Sequence, residues 1–256
     1  MQNNTFFNDS GPNNIIVIDQ VASTNDYLKN LLTKVKPLAP YTVIMAKNQT
    51  AGKGQRGNSW SSAPGLNLTA SFLLTPECLP ISKQFLLTIV SSLSVYDAIE
   101  QYVPTGISIK WPNDILIKNK KIAGILIENK IAQQQIKHSI VGVGINVLQT
   151  EFPHDIKNKT TSLTLETRDK NLQIMQLAYS IQHNLKKYLP VLEVQPQDLI
   201  NSYNEKLYNR GISSLYEYHG QEVIGKINQV DMDGLLQIEI NGNLKKIDLK
   251  GIAYKL

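Results

Sequence analysis

The chain has 256 residues, 42% of them apolar, one cysteine and a formal net charge of +5. This length allows one large domain, or a main domain with a small appendage. No apolar run approaches the ~18 residues of a membrane helix, the polar start is unlike a secretory leader, and Cys78 has no second cysteine to pair with, so a reduced, cytoplasmic setting is expected. The positive charge suits phosphates and other polyanions, but the basic residues are scattered and lack the interleaved aromatics of a nucleic-acid stacking platform.

In chain order, "NNIIVIDQV" reads as a strand. "STNDYLKNLLTKV" follows as a helix with Leu28, Leu31, Leu32 and Val35 on one face and Ser23 or Thr24 as its cap. "YTVIMAKNQ" and "GLNLTASFLL" read as further strands. Pro80 and Ser82 introduce a long helix whose buried stripe is Phe85, Leu86, Ile89, Val90, Leu93 and Ile99. "GISIKWPNDILIKNKKIAGILIE" reads as two strands joined by a turn around Asn119, and "HSIVGVGINV" as another strand. Residues 149–170 look loop-like, residues 171–189 carry helical spacing, and "PQDLINSYNEKLY" suits a short helix. After Arg210, short β-type runs alternate with His219-Gly220, Asp233-Gly234 and Asn241-Gly242, the last a strong hairpin signal. Roughly five short strands there predict a small barrel packed against the main domain, dividing the chain into 1–209 and 210–256.

Gly52, Gly54 and Gly57 in "TAGKGQRGNSW" have the spacing of a dinucleotide-binding loop. That loop must open a helix, so that the pyrophosphate sits on the helix N-terminus. Here "GNSWSSAPGLNL" follows, with Pro64 and Gly65 and no helical stripe, which excludes the reading. A Walker loop is absent. Three glycines still let the backbone approach an anion, with Lys53 and Arg56 supplying charge and Trp60 able to stack or cover; a flexible surface turn explains the spacing equally well.

"KWPNDIL" sets Lys110, Trp111, Pro112, Asn113 and Asp114 in a row. Pro112 breaks strand pairing, which is expected to leave Asn113 and Asp114 exposed at a sheet margin, where they can hold Mg2+ and a phosphate or simply form an Asx turn. In "KKIAGILIE", Lys121 opens a strand and is placed to stabilise charge on a phosphoryl oxygen, or is an ordinary hairpin lysine. Gly142 and Gly144 fall on one strand face and offer a flat floor for a ring, or only close packing. His138, His154, His183 and His219 lack metal spacing, no G-x-S-x-G elbow occurs, and Cys78 between Pro76 and Pro80 reads as structural.

Taken in order, "STN", "QTAGKGQRGNSW", "KWPNDI", "KKIAGILIE", "GVGINV", "QTEFP" and "TTSL" resemble the biotin protein ligases, over roughly residues 15–256. The resemblance implies an α+β fold, a class II aminoacyl-tRNA-synthetase-like catalytic domain with a mixed sheet and flanking helices, plus an SH3-like C-terminal barrel. It implies ATP-dependent formation of biotinyl-5′-AMP with Mg2+, then transfer of biotin to a lysine of a carrier domain in a biotin-dependent carboxylase. Ser23, Thr24, Asn25 and Gln49 are implied at the ureido ring, and Gly52, Lys53, Gly54 and Gln55 in a loop over biotin and the adenylate. Gly124, Gly142 and Gly144 are implied along the biotin channel. Lys121 is implied at the reacting carboxylate and α-phosphate, with Lys110 supporting the phosphates. Arg56, Trp60, Asn113 and Asn146 are implied at the nucleotide and Asp114 at Mg2+. The family loop is commonly G-R-G-R-x-G; Gln55 stands where arginine is frequent, and an amide cannot make the charge-assisted contact. The first dozen residues leave no room for a winged helix-turn-helix, so a DNA-binding role is not expected, and without a long apolar run no membrane partner is expected either. Lipoate or octanoate transfer on the related fold is the nearest alternative; the "STN"/Gln49 set and "KWPND" speak against it.

Overall fold

The computed structural model describes residues 14–34, 37–249 and 251–255, without the Arg56 side chain; Val35 therefore lies outside the described residues. The elements are β1 (Ile15–Val21), α1 (Thr24–Lys34), β2 (Val43–Gln49), β3 (Gly52–Lys53), β4 (Ser59–Trp60), β5 (Asn67–Leu74), α2 (Phe85–Glu100), β6 (Ile107–Lys110), β7 (Asp114–Ile117), β8 (Lys120–Ala132) and β9 (Gln135–Asn146), followed by α3 (Leu163–Thr167), α4 (Ile174–Val194), α5 (Pro196–Glu205), β10 (Ser213–Tyr218), β11 (Gln221–Val230), β12 (Leu236–Ile240), β13 (Asn243–Ile247) and β14 (Ile252–Tyr254). The result is a mixed α+β fold with one large sheet and one antiparallel C-terminal sheet.

The large sheet has seven strands in the order β1-β2-β5-β9-β8-β7-β6. Only β1 and β2 pair in parallel. Strand alternation divides its residues between two faces. In β5, Leu68, Ala70, Phe72 and Leu74 enter the main core with residues of α2 and α4. Thr69 and Ser71 point the other way, to the Ala46 carbonyl and to Thr24 and Asn25. In β9, Val141, Val143 and Ile145 join the core, which leaves Gly142 and Gly144 on the opposite face. That second face is covered in part by α1, through Leu28 against Ile44, Leu73 and Ile140, and the functional residues collect on the rest of it.

α2 is more buried than a single stripe requires: 13 of its 16 residues are buried, because α4 and α5 cover the side that the sheet does not. Two of its buried hydroxyls donate to the preceding turn, Ser91 to the Leu87 carbonyl at 2.7 Å and Ser94 to that of Val90 at 2.8 Å, while the buried Ser92 hydroxyl has no partner among the described residues. A separate 3-10 turn at Ile81–Lys83 precedes the helix.

Four expectations need correction. The segment around "KWPND" forms three strands rather than two, because a turn with a cis Trp111-Pro112 bond folds β7 back on β6. Asn113 is buried and Asp114 nearly so, rather than exposed; the turn is closed over by Tyr203, whose hydroxyl donates to the Pro112 carbonyl at 2.8 Å. Residues 149–170 contain a helix, α3, capped by the Ser162 hydroxyl, which accepts from Leu165 N. Cys78 is exposed, not part of the core.

All five C-terminal strands form, in the order β13-β12-β11-β10-β14. Among the described residues β13 and β14 do not pair, so no closed barrel is found. The sheet is fastened to the rest by Trp111 Nε1, donating to the Gly234 carbonyl at 3.1 Å, and by a two-way clasp between the Asn204 amide and the Val230 backbone. Gly234 sits at φ +87°, and a Cβ there would lie 2.4 Å from the Phe85 ring, so both turn and packing demand glycine.

Candidate active site

A cavity of about 460 Å³ lies on the second face of the large sheet. Its floor is glycine. A Cβ at Gly144 would stand 2.2 Å from the Trp60 ring, and one at Gly124 would meet both Trp60 and Lys121. The flat floor expected from "VGVGINV" therefore exists, and the ring now lying on Gly144 is that of Trp60. Trp60 arrives there because Gly52–Lys53 and Ser59–Trp60 pair as a short hairpin around a 3-10 turn. No helix follows Gly57, which removes the dinucleotide-loop reading. The buried Trp60 indole N–H has no partner among the described residues.

One side of the cavity is a polar row at the start of α1. The Ser23 hydroxyl accepts from Asp26 N, so it caps the helix. Gln49 Oε1 accepts from Thr24 N at 2.9 Å and lies 3.2 Å from the Thr24 hydroxyl. Asn25 Nδ2 donates to Glu128 at 2.7 Å, and its Oδ1 accepts from Ser71 at 2.6 Å. A Cβ at Gly142 would fall 2.5 Å from Asn25 Oδ1, so glycine there makes room for the amide.

The other side holds the cations. Lys121 Nζ is 2.6 Å from Asp114 Oδ1, and Lys110 Nζ is 3.8 Å from Asp114 Oδ2. Burial pushes the Lys110 ammonium below the ordinary lysine value; Asp114 opposes this and Lys121 adds to it. Between β2, which carries Gln49, and β7, which carries Asp114, the sheet order interposes β5, β9 and β8. At ~4.8 Å per strand the two sides are roughly 19 Å apart, which suits an elongated ligand with a polar head at one end and a phosphate at the other. Asn113 holds the turn by donating its amide to the Ile125 carbonyl.

Of the expected residues, Ser23, Thr24, Asn25, Gln49, Lys53, Gly54, Gln55, Trp60, Lys110, Asn113, Asp114, Lys121, Gly124, Gly142 and Gly144 all line this one cavity. Gly52 and Asn146 are not on its wall. Gly52 lies under the hairpin, where a Cβ would strike the Trp60 carbonyl and Gln49 Nε2, and Asn146 is buried with its amide donating to the Thr161 carbonyl at 3.0 Å. The Arg56 side chain lies outside the described residues. Lys53 is held on Asp26 at 2.7 Å. The sequence reading missed Ser71 and Glu128 behind the polar row, and also Leu249, Ile252, Ala253 and Tyr254, which bring the C-terminal sheet to the cavity wall. Lys110 Nζ is 5.4 Å from the Tyr254 ring centroid. Polar alternation in "NLTAS" was the one available signal for Ser71; nothing local marks Tyr254.

Among the described residues no cluster of three or more His, Cys, Asp or Glu side chains is placed to hold a metal, and no helix is long and apolar enough to cross a membrane.

A family model described as the Biotin/lipoate A/B protein ligase family matches residues 17–146. A Bacillus subtilis protein named as a bifunctional ligase/repressor BirA is 30% identical over 91% of this chain and 71% of its own length. A Mycobacterium tuberculosis biotin–acetyl-CoA-carboxylase ligase is 28% identical over 96% of this chain and 90% of its own. Among solved structures, the biotin protein ligase from Aquifex aeolicus in complex with biotin and ATP superposes with a TM-score of 0.78 at 28% identity, covering 94% of this chain and 99% of that one.

Proposed function

Because the chain belongs to the biotin/lipoate A/B protein ligase family, we propose that its cavity activates biotin as biotinyl-5′-AMP and passes the acyl group to a lysine of a carboxylase carrier domain. The protein is an ATP-dependent biotin ligase. The observation that carries the reading is one glycine-floored cavity joining a polar row to a pair of lysines on a shared carboxylate.

In the first step a biotin carboxylate oxygen bonds to the α-phosphorus and pyrophosphate leaves; in the second the carrier amine bonds to the acyl carbon and AMP leaves. Neither step needs an enzyme nucleophile. Both need positioning and cations where negative charge gathers. Lys121 and Lys110 supply the cations, and Asp114 holds them before the nucleotide arrives. The reading places biotin's bicyclic head at Ser23, Thr24, Asn25 and Gln49, its chain along Gly124, Gly142 and Gly144, and Lys53, Gly54 and Gln55 over the ligand. Asn113, Trp60, Arg56 and Asn146 serve the nucleotide; Asn146 does so by holding the Thr161 carbonyl rather than from the cavity wall.

Asp114 is the carboxylate that would hold Mg2+ together with substrate phosphates, since Mg2+ ordinarily binds through one or two carboxylates plus phosphates. Bound there, it would neutralise phosphate charge. The reading also treats 1–209 as catalytic and 210–256 as an SH3-like unit acting in a cytoplasmic protein without a DNA-binding role.

The test is ATP–pyrophosphate exchange with biotin and, separately, with lipoate. Exchange that depends on biotin is expected; exchange with lipoate alone overturns the substrate assignment within the same family.

A further inference from the structure

We infer that Glu128, which is not on the cavity wall, sets the hydrogen-bond polarity of the polar row and so makes the cavity selective for a cyclic urea. This rests on the biotin reading above.

The reasoning starts from what each group is able to do. A carboxylate only accepts hydrogen bonds. Glu128 Oε2 lies 2.7 Å from the Asn25 amide, so the amide must turn Nδ2 toward it. The flipped amide would set two acceptors face to face. With Nδ2 fixed, Asn25 Oδ1 faces Ser71 Oγ at 2.6 Å. An amide oxygen cannot donate, so the single Ser71 proton goes to Asn25. Ser71 Oγ also lies 2.7 Å from Thr24 Oγ1. Its proton is already committed, and the single Thr24 hydroxyl proton is used in turn, on Ser71 or on Gln49 Oε1 at 3.2 Å. Thr24 then offers only oxygen lone pairs to a ligand. Gln49 Oε1 is taken by Thr24 N–H at 2.9 Å, which leaves Gln49 Nε2 as a donor, with room for it provided by the missing Cβ of Gly52.

The wall therefore presents an acceptor, Thr24 Oγ1, beside a donor, Gln49 Nε2. A cyclic urea offers the complement, an N–H beside a C=O. A dithiolane ring offers neither, and would leave the buried Thr24 and half-buried Gln49 groups unpaired, the situation in which polar sites discriminate most strongly. The fold makes the chain of contacts possible. Ser71 and Gly142 are paired across β5 and β9, Glu128 pairs with Ile140 two residues along β9, and Asn25 lies over Gly142 between them. Glu128 touches no ligand in this scheme; it is a positioning residue acting through Asn25.

The experiment measures biotin-dependent ATP–pyrophosphate exchange for the parent, Glu128→Ala, Glu128→Gln, Asn25→Ala and the double variant Glu128→Ala/Asn25→Ala. Removing Glu128 is expected to raise the biotin KM about 10- to 100-fold, the scale of a lost charge-assisted hydrogen bond in a buried site. The ATP KM and the thermal midpoint should hold. Glu128→Gln keeps an acceptor oxygen for Asn25 and should recover most of the loss. In the Asn25→Ala background, Glu128→Ala should add nothing to the biotin KM. An unchanged biotin KM in Glu128→Ala, a parallel rise of ATP KM with a fall of the thermal midpoint, or full additivity in the double variant each overturns the inference while leaving the biotin reading intact. Absence of biotin-dependent exchange in the parent overturns both.

Discussion

Lys121 and Asp114 form an ion pair of 2.6 Å even though Lys121 and the cavity-floor residue Gly124 are an odd number of residues apart on one strand. Strict alternation would place them on opposite faces. Instead Ile115 pairs with Ala123 and Leu116 with Lys121, so Ile122 is an extra residue in β8. This bulge turns Lys121 onto the face of Gly124, where a Cβ would lie 3.2 Å from its ammonium. The Lys121 carbonyl is fixed as well, accepting from Thr161 N at 3.0 Å. Replacing Lys121 by alanine should lower adenylate formation by at least about 10²-fold, as for loss of one electrostatic stabiliser of a transition state. The thermal midpoint should move little, since a partly exposed ion pair contributes little stability. Pyrophosphate exchange and thermal melts check both halves; full activity in the variant removes Lys121 from the chemistry.

Lys110 gives a pH dependence with a definite sign. Burial, outweighing the attraction of Asp114, holds its folded-state value below the ordinary 10.5. The unfolded chain therefore binds the proton more tightly, and stability rises with pH between the lowered value and 10.5. Below that window the full cost of the buried charge is present. Lys110→Met should flatten this rise in denaturant midpoints measured from pH 8 to 10. Activity moves the other way, because the charge is lost early on the alkaline side. Lys110→Arg, charged at all working pH, should carry the alkaline limb of the exchange rate to higher pH.

Gly144→Ala tests the floor. The added Cβ would meet the Trp60 ring at 2.2 Å, and Trp60 is a side chain on a short hairpin, so the ring should move rather than the sheet. The expected result is a shifted indole emission and a weakened ligand affinity of about tenfold or more, with the thermal midpoint lowered by no more than a typical single substitution. Unchanged emission would show that Trp60 does not rest on this glycine in solution.

Trp111→Phe tests the coupling of the two sheets. The indole N–H donates to the Gly234 carbonyl at 3.1 Å, next to Lys110 in sequence. Losing it should cost about 1 kcal/mol, with a further penalty for the buried carbonyl left unpaired. If the C-terminal sheet sets the "KWPND" turn, nucleotide KM should rise in the same variant while biotin KM stays. Loss of stability without any change in nucleotide KM would reduce this contact to a purely structural one.

Much of the molecule was legible in its sequence. Alternating "NLTASFLL" and the helical stripe beginning at Phe85 reported their elements because burial acts on local period. The missing helical stripe after Gly57 was enough to reject the dinucleotide loop, and the ordered motifs marked many, not all, of the residues that share one cavity. Other features depend on contacts the local pattern does not encode. The burial of Asn113 and Asp114 depends on Tyr203, about ninety positions away, and the pairing of Lys121 with Asp114 on an extra residue in a register only the neighbouring strand reveals. Tyr254 reaches the cavity because the C-terminal sheet docks through Trp111 and Asn204. The sequence by itself determined which chemical groups were available and which elements would carry them. Only the tertiary structure decided which groups face one another, because that depends on strand register, bulges and docking between segments distant in the chain, and hydrogen bonds and ion pairs form only at those contacts.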